Sequence, residues 1–320
     1  MPPRLGGWDT ASMLLGDLMR IVSLLPSATE IVGALDLGDM LVGISHECDF
    51  PSNITHLPQL TSSILKHGLS PKEIDDAVRR ATFEGRPIYA VDGALLSALK
   101  PDLILTQGVC AVCAVTEQTV EASVSLLTPD QVCSAPVLSL EAHDIEGIIT
   151  DVQTVANAAG VPERAARVAA DMRTRIGPWH TPGTRRVAVL EWPDPLWYAG
   201  HWVPEMLAAA GGFDVKGQPG AQSGRLTEDE LIALDPEVIV MGSCGYGLEK
   251  NLAFASAFAA SPLRAKLRSL DAVWAMDANS FLSRPAPRVA RGVEVLRAIL
   301  HGGTAPSPHE AIRVPSSPPA

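Results

Sequence analysis

Five cysteines in 320 residues are too few for a disulfide scaffold, and the odd count leaves at least one thiol unpaired within a monomer. Positive charge is also short. Lys and Arg number 25 against 36 Asp and Glu, a net charge of −11. Nucleic acid and anionic membrane surfaces favour basic patches, so neither is an expected partner. No apolar run approaches the roughly 18 residues of a membrane span, so no membrane insertion is expected. Residues 1–19 hold Trp8, Asp9 and Asp17 and lack the charged start, apolar stretch and small-residue cleavage site of an export signal. They are read as a disordered leader, and the chain as a cytoplasmic monomer, with a periplasmic or cell-surface location as the alternative. Nucleophile elbow, phosphate loop and dinucleotide fingerprint are all missing, and Glu47, Asp49 and Glu191 pair at no readable spacing, so no enzyme is expected.

What the chain does have is a repeat. Arg20-Ile21-Val22-Ser23-Leu24-Leu25 opens one half and Arg185-Arg186-Val187-Ala188-Val189-Leu190 the other. Leu96 to Leu105 contains Lys100-Pro101-Asp102 before an apolar run, and Leu231 to Val240 contains Asp235-Pro236-Glu237 before another. Each pair reads as a short helix, a Pro-acid turn and a buried parallel strand. The fold class is therefore α/β, with two similar parallel-sheet lobes. Expected boundaries are a lobe over 20–143, linker helices over 144–178, a second lobe over 179–300 and a disordered Pro- and Ser-rich tail over 301–320. The helix starting at Pro162 carries Ala165, Val168, Ala169, Met172 and Ile176 on one stripe, which predicts a single stiff connector. Capping boxes are predicted at Ser27/Glu30, Ser70/Glu73 and Thr227/Glu230.

Ligands of open parallel sheets sit beyond the carboxyl ends of the strands. There lobe one supplies Ser27, His46, Glu47, Cys48, Cys110 and Cys113. Lobe two supplies Glu191, Trp192, Trp197, Tyr198, Trp202, Tyr246 and Phe281. Aromatics make up only 5% of the chain, yet Trp192, Trp197, Tyr198 and Trp202 crowd a Pro-containing segment. That cluster suits a large flat ligand, or else packs its loop onto the lobe. Cys110-x-x-Cys113 has the spacing of a redox pair or half a metal site. With His46 and Cys48 it could hold Zn²⁺, another soft transition metal or an axial cobalt. Buried structural cysteines at a tight turn, or a metal- or thiol-dependent enzyme, are the other readings.

The run Arg20 to Glu30, then Leu41-Val42-Gly43-Ile44-Ser45, Asp49-Phe50-Pro51, Leu99 to Ile104, the double glycine before Phe213, and Ser283-Arg284-Pro285-Ala286-Pro287-Arg288 resemble the periplasmic iron-siderophore and cobalamin-binding proteins of ABC importers. The resemblance covers about residues 20–300. It implies two α/β lobes joined by one long helix, with cobalamin or a related corrinoid in the cleft, or a siderophore or haem instead. It also implies that Phe50, Trp192, Trp197 and Phe281 fall in cleft-lining segments. An ABC permease would be met by one acid on each lobe. In lobe two that is Asp229 or Glu230; in lobe one the position holds Ala94, with Asp92 the nearest acid. The cysteine and His46 elements, the inserted helix Ser70 to Glu84 and the missing export signal depart from the family. They imply a cytoplasmic offshoot acting as a carrier.

Overall fold

The computed structural model describes residues 19–65, 68–108, 116–125, 134–178, 183–302 and 307–315. The sequence repeat is a repeat of topology. In lobe one, β1 (Ile21–Ser23), β2 (Leu41–Ile44), β5 (Leu103–Gln107) and β6 (Val137–Leu140) form a parallel sheet in the order β2-β1-β5-β6. In lobe two, β7 (Arg185–Pro193), β9 (Gly212–Asp214), β11 (Val238–Met241) and β12 (Ala272–Met276) take the same order, β9-β7-β11-β12, again parallel. Both faces of each sheet are covered, so the strands are apolar along most of their length and alternate residues enter different cores. Ile21, Leu103, Val187 and Val238 enter one core. Val22 and Ile104 enter a second, and Ala188, Leu190, Ile239 and Met241 a third.

The repeat extends to single atoms. Helix α3 (Gly93–Leu99) ends at Lys100 with φ 44°, and helix α8 (Glu228–Leu234) ends at Asp235 with φ 43°. After each comes Pro and an acid. Asp102 accepts the Arg20 backbone N–H at 2.8 Å, and Glu237 accepts that of Arg186 at 2.9 Å. In both lobes the acid of the turn thus anchors the start of the neighbouring first strand.

Helices α5 (Ile145–Ala158) and α6 (Pro162–Ile176) join the lobes. The connector α6 has 15 residues, about 22 Å of helix. Its predicted stripe is buried, and it packs on α5 and on the terminal helix α12 (Val289–His301). One continuous core runs from β1 and helix α1 (Pro26–Ala34) through α5 and α6 to helix α7 (Val203–Ala209) and α12. The junction is a packed layer, not an isolated strut.

Lobe one also carries a two-stranded antiparallel ribbon, β3 (Thr61–Ser63) with β4 (Tyr89–Val91), and helix α2 (Pro71–Phe83) is strung between its strands. Helix α4 (Glu117–Ser125) completes that lobe. Lobe two adds helices α9 (Leu248–Ala259), α10 (Pro262–Lys266) and α11 (Ala278–Phe281), with strands β8 (Leu196–Tyr198), β10 (Gly224–Arg225) and β13 (Ala311–Val314).

Two expectations are corrected here. The tail is not disordered throughout, because β13 pairs antiparallel with β12, and Arg291 holds Glu310 at 2.7 and 2.9 Å. The capping boxes at Ser70/Glu73 and Thr227/Glu230 form, but the one at Ser27/Glu30 does not. Helix α1 starts two residues early at Pro26, with Leu25 and not Ser27 at its cap and no side-chain cap, and this buries Ser27 and Glu30 inside the helix.

Candidate functional site

Two bridges cross between the carboxyl ends of the two sheets. The first is a buried ion cluster. Glu30 of α1, its side chain 2% exposed, receives Arg288 Nε at 2.8 Å and Arg284 Nη1 at 3.1 Å. Arg284 also donates to Asp49 (3.2 Å) and to the Glu47 carbonyl (3.3 Å). Burial works against the charge on Arg284, but the hydrogen bond to Asp49 and the charge of Glu30 hold its pKa above the usual arginine value. The Arg288 guanidinium lies 4.1 Å from the centre of the Phe50 ring. Removing one partner of such a cluster costs about 3–5 kcal/mol.

The second bridge is slighter. Trp192 Nε1 donates to the Pro71 carbonyl at 3.1 Å, and Arg225 meets Asp75 at 2.6 Å. Here the lobe-one partners belong to α2. A half-exposed ion pair contributes about 0.2–1 kcal/mol and one hydrogen bond about 0.5–1.5 kcal/mol, so this bridge is the weaker.

The tryptophan segment is not a loop but the β7–β8 hairpin, turned at the cis Asp194–Pro195 bond. Its register slips between Leu190 and Trp192, a bulge at Glu191, so Trp192 comes opposite Trp197 on one face. Tyr198 lies opposite Leu190 on the other face and packs on the lobe-two core. Arg225 sits 5.8 Å over the Trp197 ring. Tyr246 packs tilted by 31° against Trp192 at 5.8 Å and lies edge-on at 5.5 Å to Phe254. The loop carrying Tyr246 is held by buried Asn251, which accepts the Ser243 N–H at 2.7 Å and donates to the carbonyls of Tyr246 and Gly247. Half-buried Glu191 accepts Cys244 N–H through its carbonyl. Trp192, Trp197 and Tyr246 thus form an aromatic wall on lobe two.

Other expected residues fall elsewhere. Trp202 is 5% exposed and donates to the Leu282 carbonyl at 2.7 Å, so it is a core residue. Ser27 is buried in α1, and Phe281 packs partly against the core. Cys48 is 5% exposed, 3.1 Å from Thr29 Oγ1, and burial pushes its thiol up to about 11. That suits neither a nucleophile nor a metal ligand. Cys110 and Cys113 lie outside the described residues. Among the described residues no three His, Cys, Asp or Glu side chains converge to hold a metal ion, so His46 and Cys48 form no such centre there. His46 is placed differently: the Thr61 hydroxyl donates to Ser45 Oγ (3.0 Å), so its oxygen accepts from His46 Nδ1 (2.6 Å). In the neutral ring this hydrogen bond selects the Nδ1–H tautomer, which leaves the lone pair on Nε2.

Glu30, Arg284, Arg288 and Asn251 were not foreseen as site residues. The signal for the first three was the Ser283-to-Arg288 motif, two arginines of which must end near an acid if they are buried.

No family model matches the chain. The vitamin B12-binding protein of Vibrio cholerae is 22% identical over 286 residues, 86% of each sequence. Among solved structures, the periplasmic vitamin B12-binding protein of Vibrio cholerae matches with a TM-score of 0.60 at 22% identity, covering 88% of this chain and 96% of that one. The apo periplasmic haem-binding protein of Roseiflexus sp. RS-1 also gives 0.60, at 21% identity, covering 89% and 99%. The fold is that of the solved two-lobed periplasmic solute-binding proteins. In sequence the chain is similar to vitamin B12-binding proteins, in keeping with the resemblance its motifs carry. These relatives and neighbours are binding proteins, not enzymes. They also overturn the cytoplasmic placement read from the N-terminus: the solved neighbours from Vibrio cholerae, Roseiflexus and Pseudomonas aeruginosa are periplasmic proteins.

Proposed function

We propose that this protein is a solute-binding carrier that holds cobalamin or a related corrinoid between its two lobes. The observation that carries the reading is the aromatic wall of Trp192, Trp197 and Tyr246 at the carboxyl edge of lobe two. Aromatic faces bury large flat surfaces at little entropic cost, and a corrin is large, flat and apolar at its edges. Charge supports the same choice. Arg284 and Arg288 are engaged by Glu30 and Asp49, and Arg225 by Asp75, so these cations are already compensated. A ligand of little net charge suits such a cleft. Phe50, under Arg288, is the lobe-one aromatic of the site, and His46 Nε2, with its lone pair, is a candidate axial ligand for the metal of the cargo. The second reading, a haem- or siderophore-binding importer component, is favoured by the haem-binding neighbour described above.

An ABC permease is the proposed partner. Helix α8 offers exposed Glu228 and Asp229, while Glu230 is engaged with Thr227 and Lys216. The matching start of α3 offers Ala94, and Asp92 there accepts the Leu95 N–H. The proposed docking is therefore one-sided, through lobe two.

Titration of the reduced protein with aquocobalamin and with haemin, followed by the visible spectrum and by calorimetry, tests the reading. Micromolar or tighter aquocobalamin binding supports it, and a spectral shift lost in His46→Ala supports axial ligation. Tight haemin binding without aquocobalamin binding favours the second reading. Absence of both at tens of micromolar removes the carrier reading.

A further inference from the structure

We infer that helix α2 is a gate over the aromatic wall, latched in the ligand-free protein by Asp75–Arg225 and Trp192–Pro71, and that ligand enters and leaves only when this latch opens. The inference rests on the proposal that the cleft between the lobes is the ligand site. Four observations carry it.

First, α2 is mounted apart from the sheet of its own lobe. It hangs between β3 and β4, which among the described residues join no strand of that sheet beyond the Gln59 to Ile44 bridge; the ribbon itself is tied to the end of β2 through Leu60 and Thr61, so α2 and not the ribbon is the movable part. Only Ala81 of its 13 residues is buried, so it can move without opening a core.

Second, its firmest long-range partners are in the other lobe. The Asp75 side chain is 11% exposed and lies between Arg225 at 2.6 Å and Arg79 of its own helix at 3.8 Å, and the Arg225 guanidinium covers the Trp197 ring. The Pro71 carbonyl accepts the indole N–H of Trp192. The latch therefore engages both tryptophans of the wall, at the indole edge of Trp192 and, through Arg225, over the Trp197 ring.

Third, the latch can open alone. The Glu30–Arg284–Arg288 cluster holds the lobes through α1 and α12 and shares no residue with α2.

Fourth, α2 is a preformed unit. The Ser70–Glu73 capping box and Pro71 at its first turn fix its start within the helix itself, so it re-forms in the same place when the latch closes, while a detached helix of 13 residues is marginal and exchanges its amides faster.

The test compares the wild type with Asp75→Ala and with the conservative Asp75→Glu, using aquocobalamin and haemin in stopped flow and hydrogen exchange without ligand. A gate predicts that Asp75→Ala raises association and dissociation rates together, by about 1.5- to fivefold as expected for loss of one partly exposed ion pair across the cleft. The equilibrium constant then changes little, and Asp75→Glu restores the wild-type rates. Without ligand, amides of residues 71–83 exchange faster in Asp75→Ala while those of α1 and α12 are unchanged. Unchanged rates, or a rise in dissociation alone, would mean a static wall and overturn the gate. If no variant binds either probe, the carrier reading fails separately and exchange decides: faster exchange confined to 71–83 sustains the latch, and unchanged exchange removes it.

Discussion

The two lobes share a strand order and a turn, and they part at the carboxyl edges of their sheets. Lobe one ends in polar groups, with His46 ordered by Thr61 and Ser45, and Glu47 accepting from Tyr89. Lobe two ends in an antiparallel hairpin whose bulge at Glu191 turns Trp192 and Trp197 to one side. The same scaffold thus presents hydrogen-bonding groups from one side and flat apolar surface from the other. The lobes are also fastened unequally. Lobe two sends two arginines into lobe one at Glu30, whereas lobe one reaches back chiefly through α2. A ligand clamped by such a pair gains contact area from lobe two and polar contacts from lobe one.

The largest effect should come from Glu30. Glu30→Ala leaves Arg288 without its bidentate acceptor and Arg284 with only Asp49 and a carbonyl. Urea denaturation should show a loss of about 3–5 kcal/mol, the cost of a buried charge without its partner. Since one core runs through both lobes, a single transition should persist at a lower midpoint. A loss below about 1 kcal/mol would mean that the lobes are held by α5 and α6 alone.

A second prediction uses the carboxylates that lack a cation. Asp214 of lobe two accepts the N–H groups of Lys216 and Gly217 through Oδ1, while Oδ2 is buried without a partner among the described residues, and burial pushes its pKa up to about 6. Asp151 at the junction is likewise pushed up to about 6, chiefly by burial. A raised folded pKa means that the native state holds the proton more tightly than the unfolded chain. Stability should therefore fall as pH rises from about 4 to 6, by up to about 3 kcal/mol per group, and level off above. Asp214→Asn and Asp151→Asn should each flatten that slope, as urea midpoints measured across this window will show. Unchanged slopes would mean that both carboxylates ionise normally.

Much of this was legible in the chain because it is local. The paired strands, the Lys100-Pro101 and Asp235-Pro236 turns and the stripe on α6 follow from apolar spacing and proline chemistry over ten residues or fewer. The site was legible in part. Trp192 and Trp197 were found as a cluster, but pattern alone did not show that a bulge separates them from Tyr198, or that Trp202 is core. Glu30 was misread because Ser27 and Glu30 satisfy a capping pattern, while the arginines that claim Glu30 lie more than 250 residues away in sequence. The β13 strand was hidden by its Pro- and Ser-rich setting, although Ala311 and Val314 are buried on the edge of β12.

The contrast between the edges can be tested directly with ligand. Trp192→Ala should weaken aquocobalamin binding about thirtyfold, the effect of a central aromatic contact worth about 2 kcal/mol. Phe50→Ala should weaken it only a few fold, since Arg288 already covers one face of that ring. Calorimetry on both variants orders the lobes. A larger effect at Phe50 would place the main apolar contact on lobe one.

The smallest effect asks whether the repeat is energetic as well as geometric. Asp102→Ala and Glu237→Ala each remove the acceptor of one backbone N–H, from Arg20 and from Arg186. Neither carboxylate is deeply buried, so each loss should be about 0.5–1.5 kcal/mol. The two should agree within a few tenths, because turn, register and neighbouring strand are the same in both lobes. The sites lie in different lobes and share no partner, so the double variant should lose the sum. Urea midpoints of the three variants decide the matter. An extra loss at Glu237 would fall to its weak pairing with the Arg186 side chain at 3.8 Å, and Arg186→Ala in the Glu237→Ala background would then have no further effect through that pair.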